Sequence, residues 1–157
     1  PSISVSVSPV SKPTGPTQYE RDLMSSLNAV QSAVNTGVNR SRYSELISSA
    51  RTKLADLKMF SPNSPLAGPA ETYLSAHAKT LSIWAEHYDA GMERVYVGEQ
   101  SAPELFKFVR EAIPNVRLVE MNLPNKMYEF GSIGELWAHT EGRLWAQVMA
   151  GWQKLGS

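Results

Sequence analysis

One stretch decides the predicted fold of this chain, residues 69–121, which read PAETYLSAHAKTLSIWAEHYDAGMERVYVGEQSAPELFKFVREAIPNVRLVEM. The segment 71–90 favours an amphipathic helix, because apolar residues recur in it at steps of three and four. Pro69 precedes this segment and Gly91 follows it, as is typical of the two ends of a helix. The predicted inner face of the helix consists of Leu74, Ala78, Leu81, Ala85 and Tyr88.

The remainder of this stretch predicts a strand, a second helix and another strand. Residues 95–97 read Val-Tyr-Val, a β-branched and aromatic run that favours a short buried strand. Residues 101–104 read Ser-Ala-Pro-Glu, which predicts a capping box led by Ser101 at the start of the second helix. Residues 116–121 then favour a strand. The order strand, helix, strand indicates a βαβ unit whose strands pair in parallel through a right-handed crossover.

The chain before residue 61 predicts a lead and two helices. Residues 1–16 are rich in Ser, Pro and Thr, which is typical of a flexible lead, although the alternation in residues 3–7 also suits an edge strand. Residues 17–60 predict an antiparallel helical hairpin, with a capping box at 17–20 and Ser41 as the cap of the second helix. The predicted inner faces consist of Tyr19, Leu23, Leu27, Val30 and Val34 in the first helix, and of Tyr43, Leu46, Ile47, Ala50, Leu54 and Leu57 in the second.

The end of the chain predicts one long helix. Residues 128–130 favour a short strand, and Ser132 and Glu135 form a third capping-box pattern ahead of a helix that spans residues 132–155. Its predicted inner face consists of Ile133, Trp137, Leu144, Val148 and Trp152. The sequence therefore predicts an α/β fold, in a single domain over residues 17–157. That domain comprises the N-terminal helical hairpin, a small βαβ-containing sheet core at 70–121 and a long C-terminal packing helix.

Composition excludes several classes of site and partner. The 157 residues include no cysteine, so disulfides, thiolate zinc sites, iron–sulfur clusters and cysteine nucleophiles are excluded. The formal net charge is zero, so we expect no general electrostatic attraction to nucleic acid. No apolar run reaches the roughly 18 residues of a membrane span. No phosphate loop, serine elbow or zinc-protease motif is present, and the sequence predicts no cofactor and no metal site.

Two short motifs resemble those of a known fold family, and the spacing between them also fits that family. Residues 77–79 read His-Ala-Lys, and residues 101–105 read Ser-Ala-Pro-Glu-Leu. With their flanking strand they resemble the central unit of the cytidine-deaminase-like fold of nucleobase deaminases and bacterial toxin deaminases. In that family a His-Ala-Glu motif and a Pro-Cys-Pro-Glu-Cys motif bind zinc and shuttle protons. Here Lys79 stands in place of the glutamate, and Ala102 and Leu105 stand in place of the thiolates. The resemblance implies a deaminase-like scaffold that lacks zinc chemistry, whereas a capping box alone also explains residues 101–104.

Six polar residues are candidates for a functional site. Glu135, His139 and Arg143 are spaced by four residues and form one polar stripe on the last helix, which suits either an anionic ligand or a solvated face with helix-stabilising ion pairs. Lys79 joins Glu135 and Arg143 as a candidate ligand-binding residue. The candidate acid/base residues are His77, Glu99 and His139, because Glu99 lies at the carboxyl end of the strand at 95–97, where α/β folds place sites.

Two classes of function stay open. The first is a binding or interaction module with a protein partner, interpreted as an effector-type or toxin-type domain on a degenerate deaminase-like scaffold. The second is a hydrolase or transferase of toxin or effector type that works without thiolates, with Glu99 and either His77 or His139 as acid and base. The absence of an intact catalytic motif favours the first. A Ser/Pro-rich lead is common in exported bacterial effectors and in toxin modules, an association that fits secretion or delivery by a bacterial secretion system.

Overall fold

The computed structural model describes residues 15–119 and 127–156, so the predictions for residues 1–14 and 120–126 lie outside the described part. The fold is α/β and mostly helical, with a small four-stranded antiparallel sheet. The elements in chain order are α1 Gln18–Thr36, α2 Arg40–Phe60, α3 Ala67–Glu86, β1 Tyr88–Asp89, β2 Arg94–Val97, α4 Pro103–Ala112, β3 Arg117–Val119, β4 Met127–Phe130, α5 Ile133–His139, a π-helical turn Thr140–Leu144 and α6 Trp145–Lys154.

The predicted helical hairpin is present as α1 and α2. Its first helix begins with the predicted capping box, in which Thr17 N–H donates to Glu20 Oε1 (2.8 Å) and Glu20 N–H donates to Thr17 Oγ1 (3.3 Å). The cap of α2 is Asn39, whose side-chain oxygen accepts from the N–H of Arg42 (2.8 Å). The prediction of Ser41 as this cap was wrong, because α2 begins at Arg40 and already includes the serine.

The facing sides of the hairpin form one apolar core. Its buried residues from the two helices are Leu23, Met24, Leu27, Val30, Val34, Tyr43, Ile47, Ala50, Leu54 and Leu57. Tyr19 was predicted on this inner face, but it is 38% exposed and stacks on the exposed ring of Phe60 at 4.7 Å. Tyr19 therefore lies outside this core and contacts the last residue of α2 instead.

The buried face of α3 differs from the predicted one. Ala85 is exposed, Ala78 and Leu81 are half-buried, and Tyr88 lies in β1 beyond the end of the helix. The buried residues of α3 are Ala67, Ala70, Tyr73, Leu74, Ala76, His77, Thr80 and Ile83. The apolar pattern misled because the true face includes polar side chains, which are buried with hydrogen-bond partners.

The sheet also corrects the prediction of parallel pairing. Its strand order is β1-β2-β4-β3, and all three neighbouring pairs are antiparallel. The strands β2 and β3, which flank α4, are therefore not neighbours, because β4 lies between them. Glu129 of β4 stabilises this arrangement, since its buried carboxylate forms an ion pair with Arg94 of β2 (2.9 Å) and accepts a hydrogen bond from Arg117 of β3 (3.0 Å).

The start of α4 also differs from the prediction. The residue at the N-cap position is Ala102, and no side chain caps the helix. Pro103 occupies the first turn, so the capping position falls one residue after Ser101, and the predicted Ser101 capping box does not form.

The last helical segment closes the fold against α3. Its predicted start is confirmed, since the Glu135 carboxylate accepts from the N–H of Ser132 (2.8 Å). Trp84 of α3, together with Trp137 and Leu144, contacts both the core of the helical hairpin and the core under the sheet. Near the end of this segment Gly151 is buried against the loop before α3. A Cβ atom on Gly151 would lie 2.7 Å from the backbone oxygen of Pro65.

Replacement of Gly151 by alanine tests this close approach. We expect Gly151→Ala to lower the free energy of unfolding by about 1–3 kcal/mol, because the methyl group meets rigid backbone. Gly68→Ala is the control, since Gly68 is also helical and, apart from its chain neighbours and the backbone of its own helix, no described atom lies within 4 Å of its Cβ position. It should be neutral or stabilising. Urea denaturation measures both, and equal midpoints for the two variants would contradict the packing.

Candidate functional site

Four polar side chains from three elements meet in the interior. Glu141 Oε1 lies 2.7 Å from Nε2 of His77 and accepts a hydrogen bond from the hydroxyl of Tyr73 (2.5 Å). On the other side of the imidazole ring, the Tyr43 oxygen lies 2.6 Å from Nδ1 of His77. His77 has no exposed surface, and the Glu141 side chain is only 10% exposed. We call these residues, Tyr43, Tyr73, His77 and Glu141, the buried polar cluster.

The Tyr43 hydroxyl has two potential acceptors and one proton. Its oxygen lies near Nδ1 of His77 and 3.1 Å from the backbone oxygen of the same residue, while it accepts from Nε1 of Trp137 (3.2 Å). When the hydroxyl donates to Nδ1, the imidazole is neutral and donates from Nε2 to Glu141. When it donates to the backbone oxygen, both ring nitrogens can donate. The cluster therefore accommodates either protonation state of His77 without an unpartnered ring nitrogen.

The two tyrosines serve the cluster as neutral hydroxyl groups. Burial raises the pKa of Tyr43 far above its ordinary value, and the Glu141 charge raises it further. Burial also raises the pKa of Tyr73, to which the hydrogen bond with Glu141 and the charge of that carboxylate add. The second carboxylate oxygen, Oε2 of Glu141, is buried and has no hydrogen-bond partner among the described residues. One carboxylate oxygen thus receives both hydrogen bonds.

Glu141 enters the interior because the last helical segment contains a π-turn. Inner positions recur here at every fourth residue, at Leu136, Thr140, Leu144 and Val148. A regular α-helix turns about 100° per residue, so steps of four would carry this face away from the core. The extra residue of a π-turn absorbs most of that drift, and such turns are frequent at functional sites.

A cleft lies on the opposite side of α3, between α3, α4 and the last helical segment. Its volume is about 660 Å³. Ala76, Phe108 and Leu144 form an apolar part of its lining, whereas the charged residues around it are Glu71, Lys79, Glu111 and Arg143, with His139 beside them. Its volume is in the range of small-molecule sites, but most of its lining residues are polar or charged.

The six candidate residues that the sequence predicts do not lie in one site. Lys79, His139 and Arg143 line the cleft together. Glu135 caps α5 and lines a second depression beside Arg94 and Glu129, away from this group. The predicted acid/base residues do not share one cavity, because His77 is fully buried and the exposed Glu99, in the turn after β2, is not among the cleft residues.

The charges of the cleft are only partly paired. Glu71 forms an ion pair with Lys58 (2.7 Å), while Lys79 lies 5.8 Å from the ring centroid of Phe108. Within residues 15–119 and 127–156, neither Lys79 nor Arg143 forms an ion pair. Burial lowers the pKa of His139 below its ordinary value of 6.5, and the nearby Arg143 lowers it further, whereas Glu111 opposes them.

Sequence patterns missed three members of the buried polar cluster: Tyr43, Tyr73 and Glu141. The sequence places Tyr43 only on an apolar face, and it predicts no site role for Tyr73 or Glu141. The step of four along the last helix was the signal that could have placed Glu141 on the inner side. No sequence pattern connects it with residues on α2 and α3, because that pairing is tertiary.

The comparisons with known proteins identify no relative. No protein-family model, curated protein or solved structure matches this chain. The resemblance to the cytidine-deaminase-like fold therefore stays a prediction. In the described part of the chain, no three His, Asp or Glu side chains are grouped to hold a metal ion. Over the same residues, none of the helices combines the length and apolar character that a membrane span needs.

The Tyr43 hydroxyl should be required for the stability of the core. Tyr43→Phe removes the partner of His77 Nδ1 and of Trp137 Nε1, so we expect a loss of about 1–3 kcal/mol in the free energy of unfolding. Tyr19→Phe is the control, because Tyr19 is partly exposed and its hydroxyl forms no hydrogen bond to another described residue. Chemical denaturation of both variants checks this, and a Tyr43→Phe protein as stable as the control would contradict the role of the hydroxyl.

His139 should make the protein less stable as the pH falls. Its pKa is lower in the folded state than in the unfolded chain, so the unfolded state binds more protons below about pH 6.5. The stability of the wild type relative to His139→Gln should therefore decrease from pH 8 to pH 5. Arg143→Gln removes one of the two causes and should make this decrease smaller. Denaturation midpoints across this pH range measure the effect, and a relative stability that rises at low pH would refute it.

Proposed function

We propose that this chain is a small-molecule-binding module, and that its cleft binds a ligand with an anionic group on an apolar body. The observation that carries the proposal is the placement of Lys79 and Arg143 in one cleft, part of whose lining is apolar. Two cations from different helices can converge on one anion, and the guanidinium of Arg143 is suited to carboxylate or phosphate.

The charge balance of the cleft supports an anionic ligand. Glu71 already has Lys58 as its partner, so the cleft charges without an ion-pair partner among the described residues are those of Lys79, Arg143 and Glu111. Their sum is +1, from two cations and one carboxylate. His139 is beside Arg143, and its lowered pKa keeps it neutral at pH 7. An anion in the cleft would favour protonation of His139, so binding should strengthen as the pH falls below neutral.

The apolar residues support a ligand with an apolar body rather than a bare ion. Phe108 and Ala76 are buried and Leu144 is half-buried, and all three are among the residues that line the cleft. Contact with such side chains removes apolar ligand surface from water. Phenyl phosphate and benzoate combine an anionic group with an apolar ring, so they are suitable probes.

Binding of these probes can be measured by NMR chemical-shift perturbation. We expect phenyl phosphate to shift signals of Lys79, Phe108, His139 and Arg143. Arg143→Gln and Lys79→Gln should each weaken binding at least several-fold, because each removes one charge-assisted contact. Lys107→Gln is the matched control, since Lys107 is exposed on α4 and lies outside the cleft.

Two results would refute the proposal. The first is the absence of shifts at the cleft with both probes at millimolar concentration. The second is equal weakening by Lys107→Gln and Arg143→Gln, which would indicate general charge attraction rather than a site.

The other functional hypotheses from the sequence stay predictions. These are a protein partner, an effector-type or toxin-type role, and the alternative of a hydrolase or transferase that uses Glu99 with a histidine. An exposed aromatic pair, Tyr19 on Phe60, and the 74% exposed Met59 beside it suit a protein partner. The full burial of His77 leaves His139 as the histidine of that enzyme hypothesis with access to a cleft.

A further inference from the structure

The π-turn connects the buried polar cluster with the cleft. Glu141 of this turn lies on the inner side, in hydrogen-bond contact with Tyr73 and His77. Arg143 and Leu144 of the same turn line the cleft, and so does His139, the residue before it. A change in the turn would therefore move residues on both sides of α3.

A π-turn needs support from outside the helix. Its hydrogen-bond pattern is rare in proteins and occurs where tertiary contacts favour it. The Thr140 hydroxyl donates within its own helix, to the backbone oxygen of Leu136 (3.1 Å). Within the described chain, the side-chain hydrogen bonds that join this turn to another element are those that Glu141 accepts from α3.

We propose that Glu141 is the positioning residue of the cleft: by accepting hydrogen bonds from Tyr73 and His77, it holds the π-turn in the form that places His139 and Arg143 on the cleft wall. This inference rests on the proposed ligand-binding function. Without these bonds the turn relaxes towards regular α-helix, and loss of the extra residue rotates one end of the segment by about 100° relative to the other. Leu136 and Val148 are buried on either side of the turn, so such a change cannot leave both in place, and it alters the positions of His139 and Arg143 relative to the core.

The positioning role requires a hydrogen-bond acceptor of the right length at residue 141. Glu141→Gln keeps an oxygen that can accept from both donors. Glu141→Met keeps the length of the side chain but has no comparable acceptor. Tyr73→Phe removes one donor and leaves the other. These three variants separate the hydrogen bonds from the packing of the side chain.

The NMR titration of His139 measures the position of the turn without any ligand. The groups that face His139 are Arg143 on its own helix, Glu111 and Phe108 on α4, and Lys79 on α3. The ring signals can be assigned by comparison with His139→Gln. We expect the wild type and Glu141→Gln to titrate below 6.5. In Glu141→Met the midpoint should rise towards 6.5, and in Tyr73→Phe it should rise by a smaller amount.

Phenyl phosphate binding provides the second readout. Glu141→Met should weaken binding as strongly as Arg143→Gln does, whereas Glu141→Gln should bind like the wild type. If phenyl phosphate binds no variant and not the wild type, the proposed function fails, while the titration of His139 still decides whether Glu141 positions the turn.

Unchanged titration of His139 in a folded Glu141→Met protein would overturn the inference. If Glu141→Met does not fold, as judged by circular dichroism, the decision passes to Tyr73→Phe. A His139 midpoint in Tyr73→Phe equal to that of the wild type would then overturn it. A His139 midpoint that rises towards 6.5 in Glu141→Gln as well would also overturn the inference, because that variant retains the hydrogen-bond acceptor.

Discussion

The contact on which most of the structure depends is the pair of hydrogen bonds that Glu141 Oε1 receives from His77 and Tyr73. It joins α3 to the last helical segment, and Tyr43 extends it to α2. Hydrogen bonds to an ionised group contribute about 1.5–3 kcal/mol each, but a buried carboxylate left without them costs more than that. The cluster therefore fixes how these helices meet more strongly than apolar contact alone would, because any other alignment leaves a buried charge without partners.

The unpartnered oxygen of Glu141 shows that this arrangement is not optimised for stability alone. A buried carboxylate oxygen without a donor costs free energy, and the π-turn that carries it is a rare helical geometry. Both features fall on the five residues of the π-turn, Thr140–Leu144, which also supply Arg143 to the cleft. Unfavourable local geometry that the surrounding core holds in place is more common at functional sites than in structural helices.

Features that depend on residues close together in the sequence were predicted correctly. The predictions failed for features that depend on contacts between residues far apart in the sequence. The hairpin of α1 and α2 and the capping boxes at Thr17 and Ser132 follow from residues at most four apart, and they are present. The burial of His77 depends on Glu141, 64 residues later in the chain, so an apolar pattern could not place the inner face of α3. Parallel pairing failed for the same reason, since β4 arrives from beyond residue 126 to lie between β2 and β3.

The same distinction explains which candidate residues came together. Spacing by four placed His139 and Arg143 on one helical face, and this is where the structure has them. Lys79 joins them because α3 presents Ala76 and Lys79 to the cleft, while His77, one position after Ala76, turns into the core. A helix that buries polar residues on one side and lines a cleft on the other couples the two by its own rigidity. The residues of the cleft and those of the buried polar cluster therefore share the same two helical elements.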